Sequence, residues 1–142
     1  MAGAGANFVL DKGFLVISTY NSSAAAGVVW NRFVKFGATA GTIDLNVAST
    51  TRSIGVVMEN VDQVKVATGK VVADVRLMGI ATVVVTTATS LVLGSIVASS
   101  TTGGVILAAS THVPLGIIVG LTGTVAAGDL VQVLLTPGLP VL

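Results

Sequence analysis

From Leu77 to Gly128 the chain carries no aspartate, glutamate, lysine or arginine. An uncharged stretch this long is destined for a bilayer, a protein core or a contact with other protein, with Thr, Ser and Gly covering what stays wet. Its most apolar part, Met78 to Ala98, is interrupted by Thr82, Thr86, Thr87, Thr89, Ser90, Gly94 and Ser95, is rich in β-branched residues, and has no Lys or Arg on its C-terminal side. Those features argue against a membrane-spanning helix and for short strands. Over the whole 142 residues only 9% are charged and 4% aromatic, while 53% are hydrophobic. A typical globular domain has about a quarter of its residues charged, so part of this protein's exterior is expected to be covered by protein. Interface cores are depleted of charge in the same way, and self-association follows as the expectation from composition.

The length suits one domain. Seven Lys plus Arg against six Asp plus Glu give a net charge of +1, which provides no electrostatic footprint for nucleic acid or anionic lipid; neither is expected as a partner. There is no cysteine, so disulfides, thiolate metal sites and cysteine nucleophiles are excluded. The opening MAGAGANFVLDKGF has no basic start, and Asp11 and Lys12 fall where a signal peptide would be apolar; residues 1–13 read as a flexible N-terminal arm.

From Phe14 onward short Val-, Ile- and Thr-rich runs alternate with Gly, Asn, Ser or Pro clusters, the spacing of an all-β sandwich or barrel. Expected strands are Phe14 to Tyr20, Val28 to Phe36, Thr42 to Val47, Ile54 to Met58, Val61 to Ala67, Lys70 to Leu77, Ile80 to Thr86, Ser95 to Ala98, Val105 to Ala108, Leu115 to Leu121 and Leu130 to Thr136. Ala24 to Ala26 and Thr87 to Leu93 could each form a helical turn. Residues 14–136 are expected to make a single β domain, followed by an extended tail, residues 137–142, fixed by Pro137 and Pro140.

Internal similarity divides that domain. AST at Ala48 to Thr50 recurs at Ala109 to Thr111; at the same offset SIGVV, Ser53 to Val57, matches PLGII, Pro114 to Ile118. VADVRL, Val72 to Leu77, matches LVQVLL, Leu130 to Leu135. A small-residue pair followed by Gly and a strand start recurs in AAGVV (Ala25 to Val29), ATGKVV (Ala67 to Val72) and AAGDLV (Ala126 to Val131), where Gly supplies a positive φ at a turn. Two pseudo-repeated halves, about 24–86 and 87–135, follow from these matches. Within them Arg76 corresponds to Leu134: the alternation that gives the first strand a wet face leaves the second apolar on both faces. Leu130 and Leu134 are therefore candidate contact residues.

The catalytic inventory is thin. His112 is the only histidine and Glu59 the only glutamate, with Asp11, Asp44, Asp62, Asp74 and Asp129 as the aspartates. No zinc ligand set, Asp-rich calcium loop or G-x-S-x-G elbow is present, and no cofactor is expected. GAG at Gly3 to Gly5 and GATAGT at Gly37 to Thr42 lack the rest of a nucleotide-binding fingerprint. The N-x-S sequon at Asn21 to Ser23 reads as a hairpin turn. Trp30, Arg32, Phe33, Lys35 and Phe36 form the one cluster mixing aromatics with cations; alternation places Trp30 and Arg32 on one face, either as a partner contact or at the core's edge. In the arm and tail, Phe8 and Leu139 are further candidates for capping a neighbouring surface.

The A-x-G turns entering strands, the strands Ile54 to Val57 and Leu115 to Ile118, and the closing AAGDLVQVLL (Ala126 to Leu135) resemble the capsid decoration, or cement, proteins of tailed bacteriophages. The resemblance spans about Ala24 to Leu135 through short motifs. It implies a non-enzymatic β-rich virion protein, commonly a homotrimer, made in the host cytoplasm and bound to the outer surface of the head, where it bridges subunits of the major capsid protein. The alternatives are a self-assembling coat or shell subunit built through the same apolar faces, and a small hydrolase using His112.

Overall fold

The computed structural model describes residues 10–16, 31–37, 40, 42–57, 72–86, 90–121 and 123–136. Among them lie nine strands and no helix: β1 (Leu10–Val16), β2 (Arg32–Phe36), β3 (Thr42–Leu45), β4 (Gly55–Val57), β5 (Val72–Val84), β6 (Ile96–Ser99), β7 (Val105–Leu107), β8 (Gly116–Gly120) and β9 (Leu130–Leu135). The protein is all-β, as the punctuated Val/Ile/Thr runs require. Val61 to Ala67, the turn at Ala24 to Ala26, residues 1–9 of the arm and the tail lie outside the described residues.

Three local expectations are corrected. The expected strands Lys70 to Leu77 and Ile80 to Thr86 are joined in one continuous strand, β5 (Val72–Val84), which passes through Gly79 at φ 89° without breaking its pairing; Lys70 and Val71 lie outside the described residues. β1 starts at Leu10 rather than Phe14, so Leu10–Gly13 belongs to the sheet and not to an arm. The end of the expected helical turn Thr87 to Leu93 is instead a β-turn in which Ser95 N donates to Val92 O at 3.0 Å.

The strands close into two rings that share β5. In the first, β1 pairs with β3, β3 with β2, β2 with β4, β4 with β5, and the N-terminal part of β5 back with β1. In the second, the C-terminal part of β5 pairs with β9, then β8, β6 and β7, and a parallel bridge between Val85 and Val105 completes the circuit. Closure leaves few free strand edges, which suits a chain with so little charge to protect them.

The pairing registers relate the rings residue by residue. Val34 lies opposite Leu45 and Gly55, and Val97 opposite Leu107 and Gly116. Val56 opposite Arg76 corresponds to Ile117 opposite Leu134, and Val57 opposite Val75 to Ile118 opposite Val133. Asp11 opposite Arg76 corresponds to Ile80 opposite Leu134, and the parallel pair Val16 with Ile43 to Val85 with Val105. Loop hydrogen bonds follow suit: Ile54 N donates to Val34 O at 2.9 Å and Leu115 N to Val97 O at 2.8 Å, while each AST turn closes on its alanine carbonyl, from Thr51 N and from His112 N. The repeats therefore meet at Gly79, inside β5, with β1 as the first strand of one and the second half of β5 as the first strand of the other. A boundary near residue 86 misplaces that strand because β1 and the second half of β5 are equivalent in pairing, with little identity in sequence.

Among the described residues two hydrophobic clusters form the core. Val34, Ile43, Val57, Ala73 and Val75 occupy the first ring. The second cluster holds the interior of the second ring, including Val83, Val97, Ile118, Val131 and Val133, together with Phe33 and Val56 from the first repeat. Phe33 and Val34 are sequence neighbours, as are Val56 and Val57, and neighbours on a strand face opposite ways. At Phe33–Val34 and Val56–Val57, β2 and β4 are thus buried on both faces, one by their own ring and the other by the second repeat.

Candidate interaction surface

Arg32 is partly buried, and its Nη1 donates to the carbonyl of Thr102 in the loop between β6 and β7. Beside it Phe33 N donates to Gly103 O at 2.8 Å. Arg32 thereby links the two repeats within one chain. His112 is engaged in its own turn: its Nδ1 accepts the Ala109 N–H at 3.1 Å, which caps the second AST segment. Among the described residues no group of three or more His, Cys, Asp or Glu converges. A cleft of about 40 Å³, lined by Phe33, Ile54, Leu77, Leu115 and Leu135 among others, lies between the repeats. It has room for only a few water molecules, and a more open depression of about 380 Å³ lies beside Thr82, Gly120, Leu130 and Gln132. No helix among the described residues is long and apolar enough to cross a membrane.

Leu130 and Leu134 sit on β9, whose burial alternates strictly along LVQVLL, with Val131, Val133 and Leu135 inside and Leu130, Gln132 and Leu134 outside. Leu130 is 55% and Leu134 38% exposed. Phe8, Trp30 and Leu139 lie outside the described residues. Leu134 does not stand alone: it pairs with Ile80 on β5 and with Ile117 on β8, and Ile117 pairs with Ile96 on β6. Directly paired residues share a face, so Ile80, Leu134, Ile117 and Ile96 form an apolar row across four strands on the outside of the second ring. Sequence comparison reached Leu134 through its match to Arg76; its three neighbours required the register.

Fold and surface together define a tandem, strand-sharing pair of five-stranded β rings whose outer face on one repeat is suited to protein contact. The fold is similar to a solved one, the head fiber gp8.5 N base in bacteriophage phi29, with a TM-score of 0.60 over 91% of this chain and 95% of that chain at 14% sequence identity. No protein-family model matches the sequence, and no curated protein matches it.

Proposed function

We propose that this protein is a structural component of a bacteriophage head, attached as a homotrimer to the outside of the capsid, where it bridges neighbouring major capsid subunits. The observation that carries the reading is the shared fold with a phage head fiber base, matched over nearly the full length of both chains. The resemblance of the strand and turn motifs to decoration proteins supports it from the sequence. The chemistry agrees: the surface offers apolar area for contact with protein, and the one histidine is spent on a turn. A trimer that places three modest contacts on one lattice gains avidity of about 10² to 10⁴ over a single contact. Binding only the assembled head also stabilises that state by linkage.

Mixing the purified protein with heads that lack it, from the phage that encodes it, followed by sedimentation, tests the proposal. Saturable co-sedimentation and a raised disruption temperature of the heads are expected; absence of binding at micromolar protein would contradict it. The exposed apolar row also suits a shell-forming subunit, and closed particles assembled from the pure protein would favour that reading.

A further inference from the structure

In the first repeat, Phe33 on β2 and Val56 on β4 are paired, face outward from their own ring, and are completely buried. What buries them is the second repeat, whose interior cluster they join. The registers make Ile96 and Ile117 their counterparts on β6 and β8. Those two are only partly buried, and the row they begin continues uncovered through Leu134, 38% exposed, to Ile80, 47% exposed.

At the equivalent register positions the first repeat has Arg76 and Asp11. One half of the row is thus apolar and fully covered in the first repeat, while in the second the whole row is apolar, with Ile96 and Ile117 partly covered and Leu134 and Ile80 exposed. The chain itself shows what such a row receives: another copy of the same β unit.

We infer that the row Ile80, Leu134, Ile117 and Ile96 is the docking site for a second copy of this chain. The inference rests on the proposed homotrimer and names its self-contact: an unchanged mass in the row variants would refute the site alone, whereas a wild-type monomer would refute the homotrimer with it. Two features favour a second copy over an unrelated partner. The repeat-to-repeat packing already present buries the pseudo-equivalent residues against this same fold. The site also offers no charged side chain among these four residues, so specificity rests on apolar shape, as at the core of homo-oligomer contacts.

Solution mass by light scattering across a wide concentration range, on the full chain, tests the site. The wild type is expected to be a discrete oligomer. Leu134→Arg and Ile117→Arg are each expected to return it to the monomer mass, while Leu93→Arg, at an apolar residue 64% exposed on a turn outside the row, leaves the oligomer intact. Circular dichroism checks that each variant keeps its strands. A second measurement does not depend on charged substitutions. Because the chain has no cysteine, Leu134→Cys and Leu93→Cys each install a single thiol for maleimide labelling. Labelling at position 134 should slow at least tenfold at oligomer-forming concentrations relative to dilute protein, and labelling at position 93 should not. A wild-type monomer at all concentrations, an unchanged mass in Leu134→Arg, or equal labelling at both positions would overturn the assignment.

Discussion

Two glycines show how much of the repeat is decided by single atoms. A Cβ on Gly55 would run into the carbonyl oxygen of Arg76 and Cγ1 of Val75; a Cβ on Gly116 would meet the carbonyl oxygen of Leu134 and Cγ1 of Val133. The obstacles are the same pair of pseudo-equivalent neighbours, so the glycine in SIGVV and PLGII is set by close strand approach. Gly55→Ala and Gly116→Ala should each lower stability by about 1–3 kcal/mol, the range for overpacking, in urea unfolding; a change under about 0.5 kcal/mol in both would contradict the shared geometry. The motif was legible in the sequence, but its cause was not, because the clash is with residues some twenty positions away. The AAGDLV turn has the positive φ its glycine implies, 97° at Gly128, while the bond that closes it, from the Ala126 N–H to the Asp129 carboxylate at 2.8 Å, required the structure. Arg32 could not be placed by alternation alone, since its partner Thr102 comes from the other repeat.

β5 is the element that makes two repeats one folding unit. Its N-terminal part pairs with β1 and β4 and its C-terminal part with β9, so neither ring can close once it is lost. Phe33 reinforces this by placing a first-repeat side chain in the second cluster. Phe33→Ala should cost about 3–5 kcal/mol, as aromatic core truncations do. The loss should appear in hydrogen exchange as an equal drop in protection for Val34 and Val75 in one repeat and Val97 and Val133 in the other; a drop confined to the first repeat would show that the rings unfold separately. Sequence patterning found most of the described strands, since alternation and turn residues are local. It divided β5 because Gly79 between apolar runs looks like a turn, and it could not supply ring closure, which depends on partners distant in the chain.

At the scale of the whole molecule, scarcity of charge leads to the expectation that protein covers some of the exterior, and the match of Arg76 to Leu134 points to an apolar face there. The extent of that face became visible only when strand pairing joined Leu134 to Ile80, Ile117 and Ile96. The proposed attachment to a head also assigns work to the chain's N-terminal residues, Met1 to Asn7. Their deletion should reduce head occupancy several-fold while leaving the urea midpoint unchanged, since β1 begins later, at Leu10. Unchanged occupancy would remove that role from the segment. The most direct measurement of the central claim is a cryo-electron microscopy reconstruction of the phage particle proposed to carry this protein. Density on the outer surface of the head, accommodating the two strand-sharing rings at sites between major capsid subunits, is the predicted result. A head whose exterior is bare, with the double ring found in the tail or missing from the particle, would contradict it.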